Sequence, residues 1–302
     1  MPTKAERERE ARIEARKKEA EKKRKERDDK KNKLVSRLEA NVAKTKAERV
    51  RSLADGIMVE VLNTVQAQLA QEAGFNAVLP YDSAATNINP RSINPREVRS
   101  MLNAVLIPVI ARVQVGHYIE AKMAERLGAS IIEEFDAAGG AMGMMGMMGR
   151  PMGGPTGGAA GAVGYIEKES LAIPVMCPID TLDECFKRID EGATMLRTKE
   201  NPQQKAFAFT LAKIRGLFKE LKARGNDSPE TRNARVGGFK SKDMDKRYDE
   251  AVSTGKLPVP LFAYGGIATA YDVAMVRKIG CGVIISNVAF QADNPRKRLK
   301  AL

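Results

Sequence analysis

Tryptophan is absent from the 302 residues, histidine occurs once, as His117, and cysteine three times, as Cys177, Cys185 and Cys281. With no CxxC spacing and no histidine near a cysteine, the sequence offers neither a zinc site nor a disulfide framework, and three unpaired thiols fit a reducing compartment. No apolar run reaches the roughly 18 residues that a membrane span needs, and the N-terminus lacks the apolar core of a signal peptide. Its many glutamates argue against an organelle transit peptide. The expected location is therefore cytoplasmic, without membrane contact, and no metal or bound cofactor is expected.

Acidic residues are in deficit, giving a formal charge of +13, but the excess is local. Residues 1–52 hold 20 Lys/Arg against 11 Asp/Glu, which leaves only +4 for the other 250 residues. This stretch has no glycine, a single proline near its start, and many Glu and Lys/Arg pairs at i, i+4 spacing, so it reads as a long solvated helix serving as a charged extension. Aromatics are not interleaved with the charges as stacking on bases requires, which argues against nucleic acid as a partner.

From residue 53 to 302 short β-type runs alternate with amphipathic helical patterns. Strands are expected at 57–62, 77–79, 107–113, 130–132, 172–176, 194–197, 259–263 and 282–286. Helical stretches such as "TVQAQLAQEAG", "GHYIEAKMAERLG" and "ATAYDVAMVRKIG" end on the glycine that stops a helix. Eight alternations over about 250 residues predict an α/β fold of the (β/α)8 barrel type, with a doubly wound open sheet as the alternative. Residues 137–164, rich in Met and Gly, read as a low-complexity insertion after the fourth strand. The charged residues 224–257 read as decoration of the same rim.

In "IPVIARVQVGHYIEA", strand alternation puts Ile110, Arg112 and Gln114 on one face, so a guanidinium follows an apolar side chain inward. A buried arginine needs partners, so Arg112 either holds an anionic ligand such as a phosphate or carboxylate or pairs internally with Glu60, Glu133 or Glu134.

The segments "GIMVEVLNTVQAQLAQEAG", "NAVLIPVIARVQVGHYIEA", "EGATMLRTKE", "LFAYGGIATAYDVAM" and "AFQADNP" resemble, in order and spacing, the synthase (lyase) subunit of pyridoxal 5′-phosphate synthase, over about residues 53–297. The resemblance implies a (β/α)8 barrel that assembles into hexameric or dodecameric rings. It also implies synthesis of the B6 cofactor from a pentose phosphate, a triose phosphate and ammonia delivered by a glutaminase. Two lysines and an aspartate carry that chemistry in the family. The second lysine falls at Lys199; the aspartate position falls at Glu60; the first lysine, which forms an imine with the pentose phosphate, falls at Arg112. Lysine can be tuned toward a neutral nucleophile, whereas arginine keeps its charge and cannot form the imine.

Further departures accompany this one. The family's phosphate cradle corresponds to Gly265 and Gly266 after strand seven and to Ser286, Asn287 and Val288 after strand eight, where two glycines are lost. The family's arginine after strand five is Asp180 and its glycine-rich loop after Lys199 is "NPQQKA", and the family's C-terminal tail over the site is expected to be missing. His117 is read as structural rather than catalytic. Lys199 either keeps a residual role or pairs with Glu60 or another acid.

The favoured expectation is a pseudoenzyme, a structural or regulatory ring-forming subunit that assembles alone or with a catalytic paralogue. Whether a glutaminase docks is left open. The alternatives are an altered lysine-imine enzyme acting on sugar phosphates, including pyridoxal phosphate synthesis, and a scaffold binding RNA or an acidic partner through the basic arm.

Overall fold

The computed structural model describes residues 14, 16, 18–29 and 32, and then 45–81, 94–135, 166–199, 206–236, 238–239, 241 and 243–302. The expected insertion at 137–164 lies outside the described residues. Internal contacts divide the chain into residues 1–44 and 45–302. In the first unit residues 18–29 are helical, laced by the i, i+4 pairs Glu14–Lys18 (3.0 Å) and Glu19–Lys23 (2.7 Å). A fresh helix start follows at Thr45, whose hydroxyl accepts the Glu48 N–H while the Glu48 carboxylate accepts the Thr45 N–H; this capping box opens the helix Lys46–Arg51.

The second unit is a (β/α)8 barrel. Its strands are β1 (Ile57–Val61), β2 (Ala77–Pro80), β3 (Ile110–Gln114), β4 (Ile131–Phe135), β5 (Val175–Ile179), β6 (Met195–Thr198), β7 (Leu261–Tyr264) and β8 (Gly282–Ile285). Every ladder is parallel and the order is β2-β1-β8-β7-β6-β5-β4-β3. A parallel bridge from Val78 to Val109, with the Val78 N–H donating to Pro108 O at 3.0 Å, brings β2 and β3 together and closes the ring. Parallel strands need a crossover, and helices at Thr64–Ala73, Pro95–Ala104, Tyr118–Leu127, Leu182–Asp190, Phe207–Ala223 and Ala270–Ile279 supply six of them. Gly74, Gly128 and Gly280 end three of these helices at φ of 95°, 99° and 89°, the left-handed conformation that glycine alone adopts without strain.

Three strands differ most from their expected positions, and β3 begins at Ile110, three residues beyond the expected start at 107. β4 continues through Glu133 and Glu134 to Phe135, although consecutive acids read as a strand end. β5 begins at Val175, three residues beyond the start that its apolar run indicated. Within the charged residues 224–257, Pro229–Val236 and Met244–Thr254 form helices. Met244 and Tyr248 are buried, with the Tyr248 ring 4.5 Å from that of Phe186 on the helix after β5.

Side chains alternate across each strand, so every second residue enters the lumen. Met58, Ala77, Ile110, Ile131, Met176, Met195, Phe262 and Ile284 pack there as one apolar cluster with Leu53, which reaches in from the turn ahead of β1. Two residues further along the strands stand Glu60, Leu79, Arg112, Glu133, Arg197 and Tyr264. The lumen is thus apolar toward the strand N-termini and polar toward the C-termini, the end at which barrel loops carry chemistry. Among the described residues no helix is long and apolar enough to cross a membrane.

Gly282 is fixed by packing. A Cβ there would lie 2.2 Å from Phe262 Cε1, and Phe262 is fully buried. Gly282→Ala is expected to lower stability by about 1–3 kcal/mol through overpacking, read as the urea midpoint, with partial recovery in the Gly282→Ala/Phe262→Leu double variant. An unchanged midpoint in the single variant contradicts this packing.

Candidate functional site

The polar half of the lumen is one connected network. Arg112 on β3 donates from Nε to Glu133 Oε2 at 2.6 Å and from Nη2 to Glu60 Oε1 at 3.1 Å. Arg197 on β6 donates from Nε to Glu133 Oε1, and from Nη1 to the Thr198 carbonyl at 3.1 Å. The Tyr264 hydroxyl on β7 donates to Glu60 Oε1 at 2.8 Å. Rings enclose the guanidiniums: Arg112 lies 5.6 Å from the Tyr81 centroid and 5.8 Å from that of Phe135, and Arg197 lies 5.1 Å from that of Tyr264, all within cation–π range. Glu133 is completely buried and Glu60 is 2% exposed.

Two cations face two carboxylates, so the network is neutral as a whole. Burial works against charge on Arg112, but Glu133 and Glu60 outweigh it and hold the guanidinium more firmly protonated than usual. Burial likewise opposes charge on Glu133, and Arg112 and Arg197 together bring its carboxyl below the ordinary range. The arrangement has no nitrogen that can become a nucleophile.

Glu134, the next residue on β4, faces the opposite side of the sheet. Its Oε2 lies 3.0 Å from Lys168 Nζ and accepts from Cys177 Sγ at 3.3 Å, and its Oε1 accepts the Ile166 N–H at 3.0 Å. Lys168 is fully buried and also reaches Glu191 at 3.5 Å. Of the three carboxylates offered as partners for Arg112, Glu60 and Glu133 bond it, and Glu134 has its own cation. Burial pushes the Cys177 thiol above its ordinary range.

Lys199 does not join Glu60. Its ammonium lies 2.8 Å from Glu184 Oε1 on the helix Leu182–Asp190 and 4.0 Å from Asp180 Oδ2. His117 sits at the start of the helix Tyr118–Leu127, with Nδ1 3.1 Å from Glu120 Oε1. Gly265 and Gly266 both have positive φ, 110° and 69°, and the Gly265 carbonyl accepts from Thr210 Oγ1 at 2.8 Å. After β8, Ser286 precedes a 3-10 turn at Asn287–Gln291, Ser286 Oγ contacts Asn287 Oδ1 at 3.4 Å, and Val288 is 60% exposed. No residue of that turn has positive φ, so the backbone conformation that glycine permits occurs after β7 and not after β8.

Sequence reasoning missed Arg197 and Tyr264. Both lie in quoted segments, "EGATMLRTKE" and "LFAYGG". The alternation that turned Arg112 inward would have found them, since Arg197 follows Met195 and Tyr264 follows Phe262 at a spacing of two.

Comparison with known proteins matches the SOR/SNZ family over residues 42–141 and 158–264. The chain belongs to the SOR/SNZ family. Similar relatives include the pyridoxal 5′-phosphate synthase subunit PdxS of Clostridium botulinum, 30% identical over 259 residues covering 83% of this chain and 81% of the relative. PdxS of Dictyoglomus turgidum is 31% identical over 268 residues, 86% of this chain and 83% of the relative. Subunit PDX1.1 of Arabidopsis thaliana is 30% identical over 262 residues, 83% of this chain and 76% of the relative. The residues matched to the family span β1 to β7, including the strands that carry Glu60, Arg112, Glu133, Arg197 and Tyr264.

Two outcomes follow for the network. Arg112→Met leaves Glu60 and half of Glu133 uncompensated and is expected to cost about 3–5 kcal/mol of stability in urea unfolding, with a smaller loss for Arg112→Lys, which keeps the charge. The folded-state pKa of Glu133 is depressed, so its contribution is complete above the unfolded glutamate value of about 4.3 and is lost as pH falls through the lower folded value. Glu133→Gln should be less stable at neutral pH and show a shallower acid limb below about pH 4 in a stability-versus-pH series. Parallel acid limbs for the two proteins contradict the assignment.

Proposed function

We propose that this protein is a non-catalytic member of its family, a pseudoenzyme that keeps the barrel as a structural or regulatory subunit and does not make pyridoxal phosphate. The observation that carries this reading is Arg112, a permanently charged side chain bonded to Glu133 and Glu60 inside the lumen. Under the family correspondence this is the position of the lysine that captures the pentose phosphate as an imine. Capture needs an uncharged amine, and the two carboxylates strengthen the cation instead. Loss of glycine after β8 supports the same reading, because a phosphate held by backbone N–H groups needs close approach. Glu60, Lys199, Gly265, Gly266, Ser286 and Asn287 are then family positions without their family roles.

A second reading is favoured by one observation, that Lys199 persists directly after β6 with a side chain 25% exposed. A single lysine suffices for imine chemistry on a sugar phosphate. Self-assembly into rings, alone or with a catalytic paralogue, belongs to the first reading, and cytoplasmic residence to both.

Purified protein given ribose 5-phosphate, glyceraldehyde 3-phosphate and ammonium is expected to form no pyridoxal phosphate, while a catalytic family member run in parallel does. Turnover comparable to that control would overturn the pseudoenzyme reading. Native mass spectrometry of the protein, alone and co-expressed with the catalytic member, is expected to show multi-subunit rings; a monomer in both preparations removes the ring-forming role.

A further inference from the structure

Lys199 stands two residues after the inward-facing Arg197, so alternation along β6 starts its side chain on the lumen side. The ammonium nevertheless ends 2.8 Å from Glu184 Oε1, on the helix that follows β5. Its carboxylate partners are themselves held. Glu184 Oε2 accepts the Asp180 N–H at 2.8 Å, which ties the helix start to the end of β5. Asp180, with Oδ2 4.0 Å from Lys199 Nζ, receives Lys213 Nζ on Oδ1 at 2.5 Å. Lys213 also donates to the Lys199 carbonyl at 3.2 Å, and the Lys199 N–H donates to Ile179 O at 3.0 Å. The main chain of Lys199 is thus fixed from two sides while its side chain is drawn sideways along the rim.

We infer that Glu184 and Asp180 form a carboxylate latch that holds Lys199 away from the barrel mouth, and that Lys213 sets the grip of the latch by competing for Asp180. An ammonium has no lone pair, and imine formation needs the amine nitrogen to attack a carbonyl carbon with loss of water. A lysine drawn onto Glu184 is therefore turned away from a carbonyl compound in the lumen even though it is partly open to solvent. The latch deepens the second reading of Lys199 as the remaining amine of the site. It is independent of whether pyridoxal phosphate is made, since it concerns one amine and not the whole reaction.

Reductive alkylation of the full chain with glyceraldehyde 3-phosphate and cyanoborohydride tests it. The amine bonds to the aldehyde carbon, water leaves, and hydride from the reagent reduces the imine, so peptide mass mapping gives a rate for each lysine. Exposed Lys278 is the internal reference. Lys199 in the unaltered protein is expected to label more slowly than Lys278. Glu184→Gln, which keeps an acceptor for the Asp180 N–H but loses the charge, is expected to raise the Lys199 rate about threefold or more, the scale of a partly exposed ion pair. Lys213→Met frees Asp180 for Lys199 and is expected to slow labelling instead. Opposite signs in the two variants support the latch, and two changes of the same sign overturn it. Equal rates for Lys199 and Lys278 in the unaltered protein, or an unchanged rate in Glu184→Gln, also overturn it. Should Glu184→Gln fail to fold, Lys213→Met and the Lys199:Lys278 ratio still decide.

Discussion

A carboxylate at the centre of a barrel is the constraint on which the lumen depends. Glu133 is fully enclosed, and an isolated buried carboxylate would either take up a proton or cost several kcal/mol in lost hydration. Arg112 and Arg197 approach it from either side, from the adjacent strand β3 and from β6 across β5, and each brings its Nε to a different oxygen. The two guanidiniums exceed the charge of Glu133 by one, and Glu60 supplies the balance from β1 through Arg112, with Tyr264 as an added donor. Removing any one charge leaves another without its partner, so β1, β3, β4 and β6 are coupled electrostatically as well as by their ladders.

The same strand shows how a sheet insulates two electrostatic problems from each other. Glu133 and Glu134 are adjacent in sequence, yet alternation sends them to opposite faces, one to the lumen and one to the space between strands and helices. Each meets its own cation: arginines inside, Lys168 outside. Lys168 lies in a 3-10 turn between β4 and β5, so outer neutralisation ties that turn to the barrel wall. Further contacts from Lys168 and Arg188 converge on Glu191. Stability of β4, a strand with two acids in five residues, is therefore a property of three separate cations and not of its own sequence.

That dependence explains which parts of the molecule were legible in the amino-acid order. Strand number, sequence and class followed from β-type runs separated by glycine-stopped helices, because those signals are local. The inward turn of Arg112 was legible from alternation alone, and its carboxylate partners were narrowed to three. The end of β4 was not legible, since an acidic pair reads as a strand end until the cations from residues 112, 197 and 168 are in place, and these are distant in sequence. Arg197 carries the same period-two signal as Arg112, two residues after the apolar Met195. The direction of Lys199 was illegible for a different reason. At a strand's end backbone alternation no longer fixes where a four-carbon stem goes, and the choice falls to Glu184 on a neighbouring helix. Residues 229–254 looked solvated because Met244 and Tyr248 are few among many charges, yet they suffice to seat that segment against Phe186.

A cation and a nucleophile are separable demands on one position. Glu133 and Glu60 require positive charge at residue 112, and either lysine or arginine meets that requirement; only lysine can also surrender its proton and attack a carbonyl. Arginine satisfies the barrel better than lysine would, because its planar fork reaches both carboxylates at once, with Nε on Glu133 and Nη2 on Glu60, where a single ammonium would have to divide itself between them. The bidentate geometry also explains why a longer acid suits β1: Glu60 extends far enough to meet both the Arg112 fork and the Tyr264 hydroxyl. Under the proposed reading, the features that close the lumen to chemistry are those that hold it together, and a barrel relieved of turnover can keep a fully paired interior that a working imine site could not tolerate.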